Sequence, residues 1–117
     1  MTHQESKLQR QCVQWFRLQF PHLTLFAIPN GGRRGKVEAA IMKGEGVLAG
    51  VADLFLMLST MEYNGLFIEM KTSDGRQSDS QREFERKVIE NGYCYKICRT
   101  FEEFRDLIMC YTKSFCW

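Results

Sequence analysis

The stretch GVADLFLMLSTMEYNGLFIEMK, residues 50–71, decides the fold. Within it DLFLMLS is an almost continuous apolar run, the pattern of a central strand covered on both faces. GLFIEMK alternates more clearly and reads as a second strand. Folding the two as an antiparallel hairpin about Met61 sets Asp53 opposite Glu69, each eight residues from the centre. Lys71, two residues beyond Glu69, projects from the same face. Two carboxylates and an ammonium then share one end of a rigid hairpin. A competing signal is Asn64-Gly65, a two-residue turn pair that would shift the register and separate the acids.

Outward from this hairpin the chain alternates helices and strands. Residues 3–20 carry Leu8, Cys12, Trp15, Phe16 and Phe20 at helical spacing until Pro21. Thr2 and Glu5 have capping-box spacing. Residues 23–29 read as a short strand ended by Pro29, and NGGRRGK follows as a glycine-bearing loop. VEAAIMK, 37–43, is a short helix closed by Gly44. Beyond the hairpin, TSDGRQSD is a polar loop. Ser78 with Gln81 forms a second capping box before QREFERKVIEN, which Gly92 terminates. YCYKICR is a strand, and Thr100 with Glu103 caps a last helix to about Tyr111. The order α-β-α-β-β-α-β-α predicts a mixed α/β fold, a small sheet flanked by helices. At 117 residues the chain is expected to form one domain, 1–117.

Composition narrows the function class. With 44% hydrophobic and 26% charged residues the chain can bury a core and stay soluble. A net charge of +2 is close to neutral, so local clusters carry the information. Five cysteines (Cys12, Cys94, Cys98, Cys110, Cys116) are scattered without a CxxC pair, and His3 and His22 complete no zinc pattern. These are expected to be free thiols, each a small buried hydrophobe, in a reducing interior. The N-terminus lacks the apolar core of a signal peptide, and no apolar run reaches the roughly 20 residues that span a bilayer. An intracellular protein with no membrane partner is expected.

The hairpin carries the chemistry. Two adjacent carboxylates repel unless a cation lies between them. Oxygen-only ligands suit Mg2+ or Mn2+ rather than zinc. Lys71 can hold or polarise a water, or stabilise charge growing on a phosphate. Together these groups suffice to hydrolyse a phosphodiester. The plainer alternative is a cross-strand salt bridge at a strand end. That is awkward for Asp53, because an unpaired acid opening so apolar a strand is costly.

Asp53 followed by Glu69-Met70-Lys71 across a hairpin resembles the PD-(D/E)xK nuclease superfamily and, more narrowly, the virus-type replication-repair nuclease domain, VRR-NUC. The matching stretches are an N-terminal helix bearing Glu5, IPNGGRR at 28–34, GVADLFL at 50–56, GLFIEMK at 65–71 and the helix that begins SDSQREF and carries Gln81. Ala52 stands where the family has a proline. The resemblance implies a restriction-endonuclease-like core. It further implies that Asp53, Glu69 and the Met70 carbonyl bind the metal, that Lys71 positions the attacking water, and that Gln81 orients Lys71 or the phosphate. Glu5 has two readings, capping partner of Thr2 or a group reaching toward the metal.

Asn30, Arg33, Arg34 and Lys36 in the glycine loop are read as a phosphate track, with Arg76 and Arg82 as extensions. Phosphate contacts carry little base information, so cutting is expected to follow DNA shape. The expected function is a metal-dependent endonuclease acting as a homodimer on branched DNA such as Holliday junctions. The apolar faces of the first and last helices, with Phe115 and Trp117, are the expected dimer contacts. A phage, or a bacterium carrying one, is the source the resemblance points to. The alternatives are a flap- or nick-type repair nuclease, an inert nucleic-acid-binding module and, last, a sequence-reading restriction enzyme.

Overall fold

The computed structural model describes residues 2–29 and 35–113. Thr2 opens the first helix, α1 (His3–Gln19), through a reciprocal capping box with Glu5. The strands β1 (Leu25–Ala27), β2 (Leu54–Leu56), β3 (Leu66–Met70) and β4 (Cys94–Cys98) form one sheet in the order β1-β2-β3-β4. The first three are antiparallel neighbours, and β4 runs parallel to β3. Parallel neighbours need a crossover, which is supplied by α3 (Asp79–Glu90). The remaining helices are α2 (Lys36–Gly44) and α4 (Phe101–Lys113). Every predicted element is present in the predicted order. The mixed sheet with its helices is consistent with a restriction-endonuclease-like core.

Strand alternation divides the molecule into two layers. Leu54, Leu56, Leu66, Ile68, Met70, Cys94 and Cys98 face Cys12 and Phe16 of α1 and Phe104, Ile108 and Tyr111 of α4. On the opposite face, Phe67, Tyr93, Tyr95 and Ile97 pack with Ala52 and with Phe84 and Val88 of α3. Phe55 extends this layer, its ring 4.6 Å from Phe67 and 6.1 Å from Tyr93. Residue 69 shares the parity of residue 67, so Glu69 belongs to the α3 layer, and the register sets Asp53, just before β2, opposite it.

The hairpin pairs Leu54 with Ile68, Phe55 with Phe67 and Leu56 with Leu66, which is the register centred on Met61. The competing Asn64-Gly65 turn does not form. The Asn64 amide donates to the Gly92 carbonyl and its side chain to the Asn91 carbonyl. Gly92 has φ +82°, and a Cβ there would lie 2.8 Å from the Asn64 side chain. The turn is made earlier, where the Thr60 hydroxyl accepts from the amides of Glu62 and Tyr63.

Several expectations change. β1 and β2 are shorter than the apolar runs that predict them: beyond Leu56 the Met57 side chain turns out to solvent. The apolar faces of α1 and α4 are not free for a partner, because they pack against each other and the sheet; Trp15 stands edge-on to Phe101 and Phe104. Cys12, Cys94 and Cys98 are buried free thiols, but Cys110 is exposed. Phe115, Cys116 and Trp117 lie outside the described residues. Among those described, no helix is long and apolar enough to cross a membrane.

Candidate active site

Asp53 and Glu69 are 6% and 2% exposed, so the sheet removes both carboxyls from water. β2 pairing holds the Asp53 backbone: its amide donates to the Ile68 carbonyl and its carbonyl accepts from Ile28. The Met70 amide donates to Asp53 Oδ2 at 2.7 Å, a bond across the hairpin that fixes the carboxyl. This amide is a site group that the sequence pattern did not reveal. The resemblance implies a role for the Met70 carbonyl alone.

Glu69 is held from α3. The Gln81 Oε1 accepts from the Ser78 amide at 2.8 Å, closing the capping box. The other end of that carboxamide must then present its Nε2, which donates to Glu69 Oε2 at 3.1 Å. One residue thus caps a helix and orients a carboxylate. The partner of Gln81 is Glu69, not Lys71. Lys71 Nζ lies 4.0 Å from the same Glu69 oxygen, and its stem is largely covered. The Lys71 amide donates to Cys98 of β4, which fixes the backbone from which the ammonium reaches.

Glu5 makes the cap with Thr2 and also reaches the loop after Lys71. Its Oε1 accepts from the Thr2 amide, completing the cap, and its Oε2 accepts from the Thr72 amide at 3.4 Å. It is buried, and its charge is felt by both Asp53 and Glu69. Arg99, read from sequence as a strand end, donates to the carbonyls of Thr72 and Gly75 and so anchors the loop after Lys71. A guanidinium holding carbonyls leaves no periodic trace in a sequence.

The electrostatics follow from burial. Burial, and then the charge of Asp53, push the Glu69 carboxyl up to about 8, while Lys71 opposes the shift. Asp53 is raised as well, first by burial, against the lowering effect of the Met70 amide. The charge of Asp53 disfavours a second charge on Glu69, so the metal-free pair favours holding a proton. Glu69 Oε1 is buried and has no hydrogen-bond partner. A buried lone pair without a donor is costly, and beside a second carboxylate it marks a place for a cation.

Among the described residues, no three acidic, histidine or cysteine side chains close into a metal cage. A hard cation held by one or two carboxylates and completed by carbonyls, waters and substrate phosphate needs no such cage. The residues present fit that mode. They do not fit zinc, because among the described residues no histidine or cysteine joins the two acids in a ligand group.

Two predicted phosphate contacts are placed: Lys36 begins α2 and Arg76 lies on the loop before α3, both exposed. Arg82 is instead engaged by Asp79 and by the Gln77 carbonyl. Asn30, Arg33 and Arg34 lie outside the described residues.

The approach of α3 to Asp53 depends on Gly50. Its φ is +87°, and a Cβ there would lie 2.4 Å from the Ser80 carbonyl oxygen. Gly50→Ala is therefore expected to cost at least about 2 kcal/mol, from backbone strain plus a clash with a helix backbone. Urea denaturation checks this. Displacement of α3 would also withdraw Gln81 from Glu69.

A family model described as the VRR-NUC domain matches residues 2–102. Among solved structures, that of a "VRR_NUC domain protein" superposes with a TM-score of 0.82 at 24% identity, covering 97% of this chain and 92% of the other. At that identity the likeness speaks for the fold. No curated protein matches the chain in sequence.

Proposed function

Because the chain belongs to the VRR-NUC domain family of nucleases, we propose that it is a divalent-metal-dependent endonuclease that hydrolyses DNA phosphodiester bonds, with 1–117 forming one nuclease domain. The observation that carries this reading is the buried Asp53–Glu69 pair, with one Glu69 oxygen lacking any partner and the Lys71 ammonium beside it.

Asp53, Glu69 and the Met70 carbonyl would hold Mg2+ or Mn2+. Such an ion, when bound, acidifies water and stabilises negative charge on phosphate oxygens. Lys71 positions the attacking water and stabilises charge as the water oxygen bonds to phosphorus and the bond to the leaving oxygen breaks. Gln81 acts through Glu69, holding the carboxylate so that its second oxygen stays available. Glu5, with both oxygens engaged by amides, adds negative charge that favours a cation. Asn30, Arg33, Arg34, Lys36 and Arg76 remain the phosphate contacts of this reading.

The substrate is branched DNA and the working form a homodimer, which sets two sites about a two-fold axis as paired cuts in a junction require. Supporting the dimer, α2 buries none of its residues within the chain and exposes Val37 and Ile41 one helical turn apart.

The test incubates purified protein with labelled four-way junction, flap, nicked and linear DNA, with Mg2+, Mn2+ or EDTA. Paired symmetric junction cuts that need metal are expected. Metal-dependent cutting of flaps or linear DNA, with the junction spared, keeps the nuclease and discards the junction reading. A monomer in sedimentation at micromolar concentration overturns the dimer. No cutting of any substrate returns the protein to an inert binding module.

A further inference from the structure

The solvent face of α1 is charged in one sense. Lys7, Arg10 and Arg17 are exposed there, with His3 and Gln14 in the same stripe at helical spacing. The helix's acid, Glu5, is turned inward. Among the described residues none of these three cations has a carboxylate partner, whereas on α3 Arg82 pairs with Asp79 and Arg86 with Glu83 and Glu90. A solvated helix face usually mixes its signs, as α3 does. This one does not.

Two adjoining hollows follow the stripe. One, of about 540 Å3, has His3, Lys7 and Gln11 in its lining. The other, of about 320 Å3, is lined by Gln9, Val13 and Arg17 of α1 and Ala27 of β1. Both share Ser6, Arg10 and Gln14, so they form one continuous groove. Gln9 Oε1 lies buried with no hydrogen-bond partner. A groove with cations on its lip and, in its wall, a carboxamide that lacks a partner suits a ligand that brings both negative charge and N–H donors.

The groove leads away from the carboxylates. Its wall residue Ala27 pairs with Leu54, and the next residue, Ile28, donates to the Asp53 carbonyl. From Lys7 to Arg17 the stripe spans roughly 15 Å at 1.5 Å per residue. That is about four nucleotides of one strand at 3.4 Å each.

We propose that the α1 groove is a second nucleic-acid site, in which Lys7, Arg10 and Arg17 grip the sugar–phosphate backbone of a duplex arm flanking the scissile bond. This rests on the nuclease reading but uses none of its site residues. Arginine forks match phosphate oxygens, and the Gln9 carboxamide, turned outward, would accept from a base amino group.

The test measures fluorescence anisotropy of a labelled 30-base-pair duplex in EDTA, across a salt series. Arg10→Gln/Arg17→Gln is expected to weaken binding roughly ten- to thirtyfold and to reduce the slope of log Kd against log salt by about two. Lys96→Gln/Lys113→Gln, an equal charge change elsewhere, is expected to bind like the wild type. Gln9→Met is expected to raise the melting temperature, because it removes the orphaned acceptor, yet to weaken binding. That opposition would not come from a purely structural side chain. Unchanged affinity and salt slope in the double-arginine variant, at wild-type melting temperature, overturn the proposal even if the protein cuts DNA. A wild type that cuts nothing while duplex binding depends on these arginines keeps the groove and removes the nuclease. Loss of binding to polyglutamate alone, with duplex binding retained, assigns the groove to an acidic protein and overturns it.

Discussion

Lys71→Ala is expected to lower metal-supported cleavage by about a thousandfold, the scale seen when one preorganised electrostatic donor is removed from a transition state. The residue is suited to so large an effect. Its ammonium is within 4.0 Å of Glu69 and is offset by two buried carboxyls, so water screens it little. Among the described residues, Lys71 is the cation that acts on both acids. Lys71→Arg is expected to rescue poorly, because a bulky planar fork cannot occupy the place of a compact ammonium. Single-turnover cleavage at saturating DNA and metal, with duplex binding measured alongside, separates chemistry from affinity. Cleavage within tenfold of the wild type in the alanine variant would remove Lys71 from the mechanism.

The hairpin was legible because period-two patterning and loop symmetry are local properties of a sequence. Asp53 and Glu69 sit eight residues either side of Met61, and the pairing of Leu54 with Ile68 keeps that symmetry. The two capping boxes were legible for the same reason. Helix faces were harder. The apolar stripes of α1 and α4 suit a partner subunit or each other equally well, and only tertiary packing decides that they meet in the core. Asn64-Gly65 misleads because its turn propensity is real. It is outweighed by the Thr60 hydroxyl at one end and by the docking of Asn64 on Gly92 at the other. The Met70 amide on Asp53 and the Arg99 clamp on Thr72 and Gly75 could not be read, because they join positions whose distance depends on the completed sheet. The double duty of Gln81 was half legible. Its spacing from Ser78 announces a cap, and the cap leaves its amide nitrogen to the site.

Glu69→Gln is expected to abolish metal-supported cleavage and, in the metal-free protein, to raise the melting temperature at pH 8 by about 5 °C or more. The sign follows from the carboxyl's two environments. Unfolded, Glu69 titrates near its ordinary value of 4.5; folded, burial and Asp53 push it to about 8. Between those values the folded chain holds a proton that the unfolded chain has released. Stability from this group is therefore full below about pH 4.5 and declines as pH rises toward 8. Asp53 is shifted in the same direction and adds to the slope. The wild type in EDTA should thus melt at falling temperatures from pH 5 to pH 8, and the variant should lose much of that fall. A neutral carboxamide can still accept from Gln81, so the helix contact survives the change. In the wild type, Mg2+ or Mn2+ should restore the melting temperature at pH 8, because a cation substitutes for the proton that Glu69 holds. The same exchange makes apparent metal affinity rise with pH by up to about tenfold per unit for each proton displaced, levelling above pH 8. A wild type whose metal-free stability rises across this range, or a variant that metal stabilises equally, would mean that the two carboxyls are not the cation site. The strain that makes the empty pair unstable is, on this account, the source of its affinity for a metal.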